Sequence, residues 1–219
     1  MIVTIDGPAA SGKGTVAKGL AARLGFSYLD TGAMYRAVAL AAARAEVACD
    51  DAAGVTAILP TIHIEMPPDR VLLNAEDVTR AIRAPEVSQG ASKVAAIPAV
   101  RAFLVPQQRR IGEGRDVVSE GRDQGTVVFP DAPVKFFVTA DVRVRAERRY
   151  KELVERGVPT TLDREVAELT ERDRRDSSRA DGPLCRPPDA VVIDTTGRTV
   201  ESVLDEMEGV IRRWTSARG

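Results

Sequence analysis

Cysteine is scarce. The 219 residues hold two, Cys49 and Cys185, with no C-x-x-C spacing, so no disulfide framework can be built, and free thiols in a reducing cytoplasm are expected. Histidine is scarcer still. His63 alone stands in what reads as an exposed strand position, which argues against a histidine-built metal or acid–base centre. No charge excess exists either, because 31 Lys and Arg face 32 Asp and Glu for a net charge of −1. That balance gives no general attraction for nucleic acid or lipid headgroups, so any anion recognition must be local. Long apolar runs are missing too. The longest, Ala37 to Ala43, is far too short to span a bilayer. Met1 to Asp6 already reads as a strand and leaves no room for a signal peptide. Export, membrane insertion and nucleic-acid binding are therefore not expected.

What is present is an ordinary globular balance, 44% hydrophobic and 29% charged, in a chain long enough for one core with appendages. Met1 to Asp6 is a β-branched run stopped by Gly7-Pro8, and Lys13 to Leu24 then places Val16, Leu20 and Leu24 at four-residue spacing, giving strand, glycine loop and helix. Phe26 to Leu29 reads as a second strand and Gly32 to Arg44 as an alanine-rich helix. From about Leu59 to Thr79, alternating Ile62, Ile64 and Met66 and a Pro67-Pro68-Asp69 turn predict a small antiparallel insert.

Pro98 to Gly112 predicts a helix that Pro106 should kink or divide. Val117 to Ser119, Val134 to Val138 and Ala190 to Ile193 predict buried strands. Val142 to about Glu155, Asp163 to Ser178 and Val200 to Trp214 predict helices. Strands alternating with helices imply an α/β fold, a mainly parallel sheet covered on both faces. The expected layout is one domain, with a core of residues 1–58 and 92–219, an insert near 59–91 and a short helical lid near 152–165.

Gly7-Pro8-Ala9-Ala10-Ser11-Gly12-Lys13-Gly14-Thr15 matches a phosphate-binding loop with one displacement, because Gly14 stands where Ser or Thr usually follows the lysine. Glycines let backbone N–H groups turn toward phosphate oxygens, and the following helix aims its positive end there. Lys13 adds a mobile charge, and Thr15 is the expected Mg²⁺ position, directly or through water. The plainer reading is a glycine turn with Lys13 solvated. The strand before and helix after favour phosphate. The loop alone would also suit a switch protein or a motor.

Asp30-Thr31-Gly32-Ala33-Met34-Tyr35-Arg36 follows the second strand and so belongs at the sheet's carboxyl edge, where open α/β sheets bind ligands. There Thr31 can bond an acceptor phosphate and Arg36 can fork onto it. The alternative is a capped helix start with Arg36 in water. Arg172, Arg175, Asp176 and Arg179 fall at i, i+3, i+4 and i+7 on one predicted helical face. That face suits either one ligand or a solvated, self-paired surface.

The segments G-P-A-A-S-G-K-G-T, D-T-G-A-M-Y-R, A-S-K-V-A-A, G-R-D-Q-G-T-V-V-F-P-D-A and E-R-D-R-R-D-S-S-R, in this order, resemble the bacterial cytidylate kinases over nearly the whole chain. The resemblance implies a three-layer P-loop kinase fold and transfer of the γ-phosphoryl group of ATP, with Mg²⁺, to CMP or dCMP. It places Thr31, Arg36, Arg122 and Arg179 around the CMP phosphate. Thr31 stands where the family commonly has serine, and either hydroxyl can donate. Ser92, Arg101 and Asp123 are implied at the cytosine edge, Arg172 and Asp176 at the ribose.

Cytosine offers an amino donor beside acceptor N3 and O2, which a carboxylate and an arginine can read together. Without the resemblance, Ser92 reads as a helix cap, Arg101 as a solvated position and Asp123 as the partner of Arg122 in a turn. Lys13, Arg122 and Arg179 are the residues expected to stabilise charge on the transferring group. Arg145, Arg148 and Arg149 make a further stripe assigned to the lid. A monomer is expected. The rivals are another small-molecule P-loop kinase, an ATP- or GTP-dependent switch, against which stands the lack of an N-K-x-D tetrapeptide, and, weakest, a nucleic-acid surface on the arginine-rich helices.

Overall fold

The computed structural model describes residues 1–216. The described chain divides into two compact units, one of residues 1–28 with 116–216 and one of residues 29–115.

The first unit carries the main sheet. Strand β1 (Ile2–Asp6) leads through the glycine loop into helix α1 (Lys13–Leu24), and β2 (Ser27–Asp30) begins in this unit. The remaining strands are β6 (Val117–Gly121), β7 (Val134–Thr139) and β8 (Val191–Asp194), set in the order β2-β6-β1-β7-β8. β1 runs parallel to both β6 and β7, with Asp6 in register with Gly121 and Phe137, and β8 runs parallel to β7. β1 is central and buried on both faces from Val3 onward, as its unbroken β-branched run requires.

Helices α6 (Val142–Glu155), α7 (Leu162–Ser178) and α8 (Val200–Ser216) complete the unit. The apolar stripe of α8, Val203, Leu204, Met207 and Ile211, joins Val16 and Leu20 of α1 and Ile5 and Phe136 of the sheet in one core. Burying each large side chain there contributes roughly 2 kcal/mol. α1 starts and stops at glycines in the left-handed region, Gly12 (φ 85°) and Gly25 (φ 68°), which suit glycine because it has no Cβ.

The second unit is mostly helical: α2 (Thr31–Arg44), α3 (Ala52–Ile58), α4 (Pro85–Val94) and α5 (Pro98–Gly112), with Pro85 and Pro98 at helix starts where a missing N–H costs nothing. Alanines along α2 let α4 come close. A Cβ on Gly90 would lie 3.2 Å from that of Ala39. The expected antiparallel insert is a three-stranded sheet of β3 (Ile64–Glu65), β4 (Leu72–Leu73) and β5 (Glu76–Asp77), shorter than its alternation suggested. α5 continues through Pro106, so of the kink or division expected there, the division does not occur. α3 and α4 had no counterpart in the sequence reading. No helix among the described residues is long and apolar enough to cross a membrane.

Candidate active site

The glycine loop is braced from behind. A Cβ on Gly7 (φ 154°) would lie 2.0 Å from the Val138 carbonyl oxygen, so no other residue fits there. Ala10 (φ 57°) and Gly12 take left-handed conformations within the loop. Lys13, almost wholly buried, donates from Nζ to the Pro8 carbonyl at 3.1 Å. Thr15, by contrast, is exposed on the first turn of α1.

The arginine stripe of α6 turns toward this loop. Arg145 is 6% exposed, donates from Nε to Ala140 O and from Nη1 to Ala9 O, both at 3.0 Å, and pairs through Nη2 with Asp173 at 2.7 Å. Arg148 donates to Ser11 O at 3.4 Å and to Thr195 Oγ1 and O at 2.9 and 2.8 Å. Arg149 pairs with Glu152 on its own helix. Two of the three arginines assigned to the lid thus brace loop carbonyls, a role that spacing alone did not reveal.

Glu120 is a residue the sequence reading missed. It is buried at the end of β6, takes a hydrogen bond from Tyr28 Oη at 2.9 Å and lies 3.1 Å from where a Cβ of Gly14 would sit. Its signal was available, since an acidic residue closes a buried strand beside the loop. The Thr15 hydroxyl and this carboxylate are hard oxygen donors, and that donor chemistry suits Mg²⁺ held with several waters.

Farther along, Arg122 donates from Nε to Asp176 Oδ2 at 2.8 Å and from Nη1 to Gly121 O at 3.3 Å. Arg172 Nε lies 3.9 Å from the same carboxylate oxygen. Burial alone would push the Asp176 carboxyl up, but Arg122, then Arg172 and Arg179, outweigh it and hold it below the ordinary value. Arg122 is held above its ordinary value because Asp176 outweighs the cost of its own burial. Arg175 turns instead to Glu171 at 3.5 Å. Arg179 lies just past the end of α7, in extended backbone, and its Nε bonds Gly182 O. The predicted face therefore keeps Arg172 and Asp176 together, while Arg175 points to a surface pair and Arg179 leaves the helix. Asp123 is 3% exposed and begins a turn of π-helix over Gln124–Val128.

In the second unit, Asp30 caps α2 by accepting Ala33 N–H at 2.9 Å, and Arg83 and Arg36 lie 3.0 and 3.6 Å from its Oδ2. Burial opposes ionisation, yet Arg36 and Arg83 together hold this carboxyl below its ordinary value. Arg83 was not anticipated. Thr31 begins α2, 2% exposed. Ser92 lies inside α4 and not at a cap, 4% exposed, and Arg101 of α5 is 2% exposed with Nη1 donating to Tyr35 Oη at 3.3 Å. A solvated Arg101 is thereby excluded. His63 is exposed beside Glu65, and Cys49 and Cys185 are free thiols.

The family model described as Cytidylate kinase matches residues 3–213. The chain is 50% identical to a cytidylate kinase of Solibacter usitatus, with all of this chain and 95% of that protein covered. Among solved structures, an uncharacterized protein from Eubacterium ventriosum superposes with a TM-score of 0.54 at 13% identity, covering 97% of this chain and 98% of that one. A gluconokinase from Sinorhizobium meliloti gives 0.51 at 13% identity, covering 98% and 94%. These two likenesses concern the fold.

Proposed function

Because the chain belongs to the cytidylate kinase family, and is an ATP-dependent nucleoside monophosphate kinase that makes CDP from CMP, we propose how its residues divide that work. The backbone N–H groups of residues 7–15 and the Lys13 ammonium take the ATP phosphates. Thr15 and Glu120 are the residues that would hold Mg²⁺, which would supply neutralisation of phosphate charge. Thr31, Arg36, Arg122 and Arg179 bind the CMP phosphate. Ser92, Arg101 and Asp123 read the cytosine edge, and Arg172 and Asp176 hold the ribose.

The chemistry asks for position more than for a base. The acceptor oxygen is already anionic near neutral pH, since the second pKa of a phosphate monoester is about 6. No general base is assigned. Lys13, Arg122 and Arg179 stabilise charge on the transferring group, and residues 152–165 act as a lid that keeps water from competing as acceptor. The enzyme works as a cytoplasmic monomer on CMP and dCMP.

The observation that carries this division is the burial of polar groups at positions a merely soluble surface would expose: Arg101 at 2%, Asp123 at 3% and Ser92 at 4%. A buried polar group is costly unless it is hydrogen-bonded, and the edge of a bound base would supply such partners. The test is ATP consumption by the purified protein with CMP, dCMP, UMP, AMP and GMP. Turnover favouring the two cytosine nucleotides is expected. Equal use of all five overturns the assignment of the cytosine-reading residues.

A further inference from the structure

Asp6 ends β1 and lies outside the glycine loop, yet it is fully buried, and its carboxylate spans two donors. Oδ1 accepts the Gln124 N–H and Oδ2 the Gly125 N–H, each at 2.8 Å. These two amides open the π-helical turn that follows Arg122 and Asp123. We propose that Asp6 is a positioning residue for the acceptor nucleotide, fixing this turn and through it the places of the Asp123 and Arg122 side chains. The proposal rests on the reading of Asp123 as a cytosine contact and Arg122 as a phosphate contact.

Two physical points support it. First, a buried carboxylate is costly. Burial, only partly offset by the two N–H bonds, pushes the Asp6 carboxyl up to about 7, with Asp123 adding to the rise and Arg122 opposing it. A carboxylate presents two acceptor oxygens to adjacent N–H groups, whereas the amide of asparagine would turn an NH₂ donor against one of them.

Second, the clamp sits between closely packed parts. On the strand side, the next residue is Gly7, packed on the Val138 carbonyl. On the turn side, Gln124 is fully buried and takes a hydrogen bond from Ser119 Oγ at 2.8 Å. A Cβ on Gly125 would lie 2.9 Å from Thr4 Oγ1 and 3.1 Å from Lys135 Cδ. The two N–H bonds thus tie the turn to the strand at a closely packed point, so turning one of them into a donor–donor clash must displace the turn.

The experiment is steady-state kinetics of Asp6→Asn beside Asp123→Ala, with ATP and CMP each varied. Asp6→Asn is expected to raise the KM for CMP at least about tenfold while the KM for ATP stays within about twofold. If Asp123→Ala leaves the CMP KM unchanged, the underlying reading of Asp123 fails. If Asp123→Ala raises it and Asp6→Asn does not, or if Asp6→Asn raises both KM values alike, the positioning role fails. Should Asp6→Asn not fold, amide exchange in the unaltered protein decides. Gln124 and Gly125 N–H groups should exchange as slowly as those of Thr4 and Ile5, and exchange at loop rates overturns the clamp.

Discussion

Replacing Arg145 by methionine tests whether the brace behind the glycine loop matters. The substitution keeps the buried stem and removes a guanidinium that serves Ala140 O, Ala9 O and Asp173 together. It leaves the Asp173 carboxylate without its cation, although Oδ1 of that group already lacks a protein partner. Asp173 is partly exposed, at 23%, so the loss lies below that of a fully buried pair, at about 2–3 kcal/mol. At about 2–4 °C per kcal/mol for a chain of this size, the melting temperature should fall by roughly 4–12 °C.

Because Ala9 O is freed as well, the KM for ATP should rise about tenfold. Differential scanning calorimetry and ATP-varied kinetics read the two effects. Arg145→Met with Asp173→Leu should recover most of the lost stability, since an apolar pair of similar volume removes the stranded charge. A melting temperature within about 2 °C of the parent, with an unchanged ATP KM, would refute the reasoning.

Three further outcomes are expected. Lys13→Ala should lower phosphoryl transfer at least about a hundredfold in a coupled assay of CDP formation, and near-normal turnover would sink the assignment of residues 7–15. Asp176→Ala removes the carboxylate that Arg122 and Arg172 share and should raise the CMP KM about tenfold with little change for ATP; a CMP KM equal to the parent's contradicts the role given to this face. The raised carboxyl of Asp6 contributes stability that is complete below its ordinary 3.8 and lost as pH climbs to about 7. At about 1.4 kcal/mol per pH unit this amounts to up to roughly 4 kcal/mol. In urea titrations between pH 4 and 8, Asp6→Asn should lack that decline, and parallel profiles would disprove it.

The order of strands and helices in the sheet-bearing unit was legible because each element carries its own signal: β-branched runs for β1, β6 and β7, and an apolar stripe for α8. The loop was legible because glycines between strand and helix have few other uses. Less visible was the turn over Gln124–Val128. Its Thr126-Val127-Val128 run has strand-like composition, whereas the turn is held by contacts far along the chain, among them the Asp6 carboxylate, 118 positions from Gln124. α3 and α4 escaped because they are short and carry Gly54 or Gly90 inside. The Arg145 brace escaped because spacing shows which side chains share a helical face but not what that face meets. Ser92, Arg101 and Asp123 owed their assignment to family likeness. The local sequence argued for surface roles, and tertiary packing buries all three.

The loop carbonyls held by Lys13, Arg145 and Arg148 have a consequence for nucleotide arrival. A trans peptide is rigid and planar, so anchoring one carbonyl oxygen aims the N–H of the next residue in the opposite direction. With the oxygens of Pro8, Ala9 and Ser11 tied to cationic side chains, the N–H vectors of Ala9, Ala10 and Gly12 are set by the protein's own contacts. The triphosphate then docks on a finished receptor instead of winding a slack segment around itself. The entropy of ordering that segment is lost once, when the chain folds, and not at each turnover.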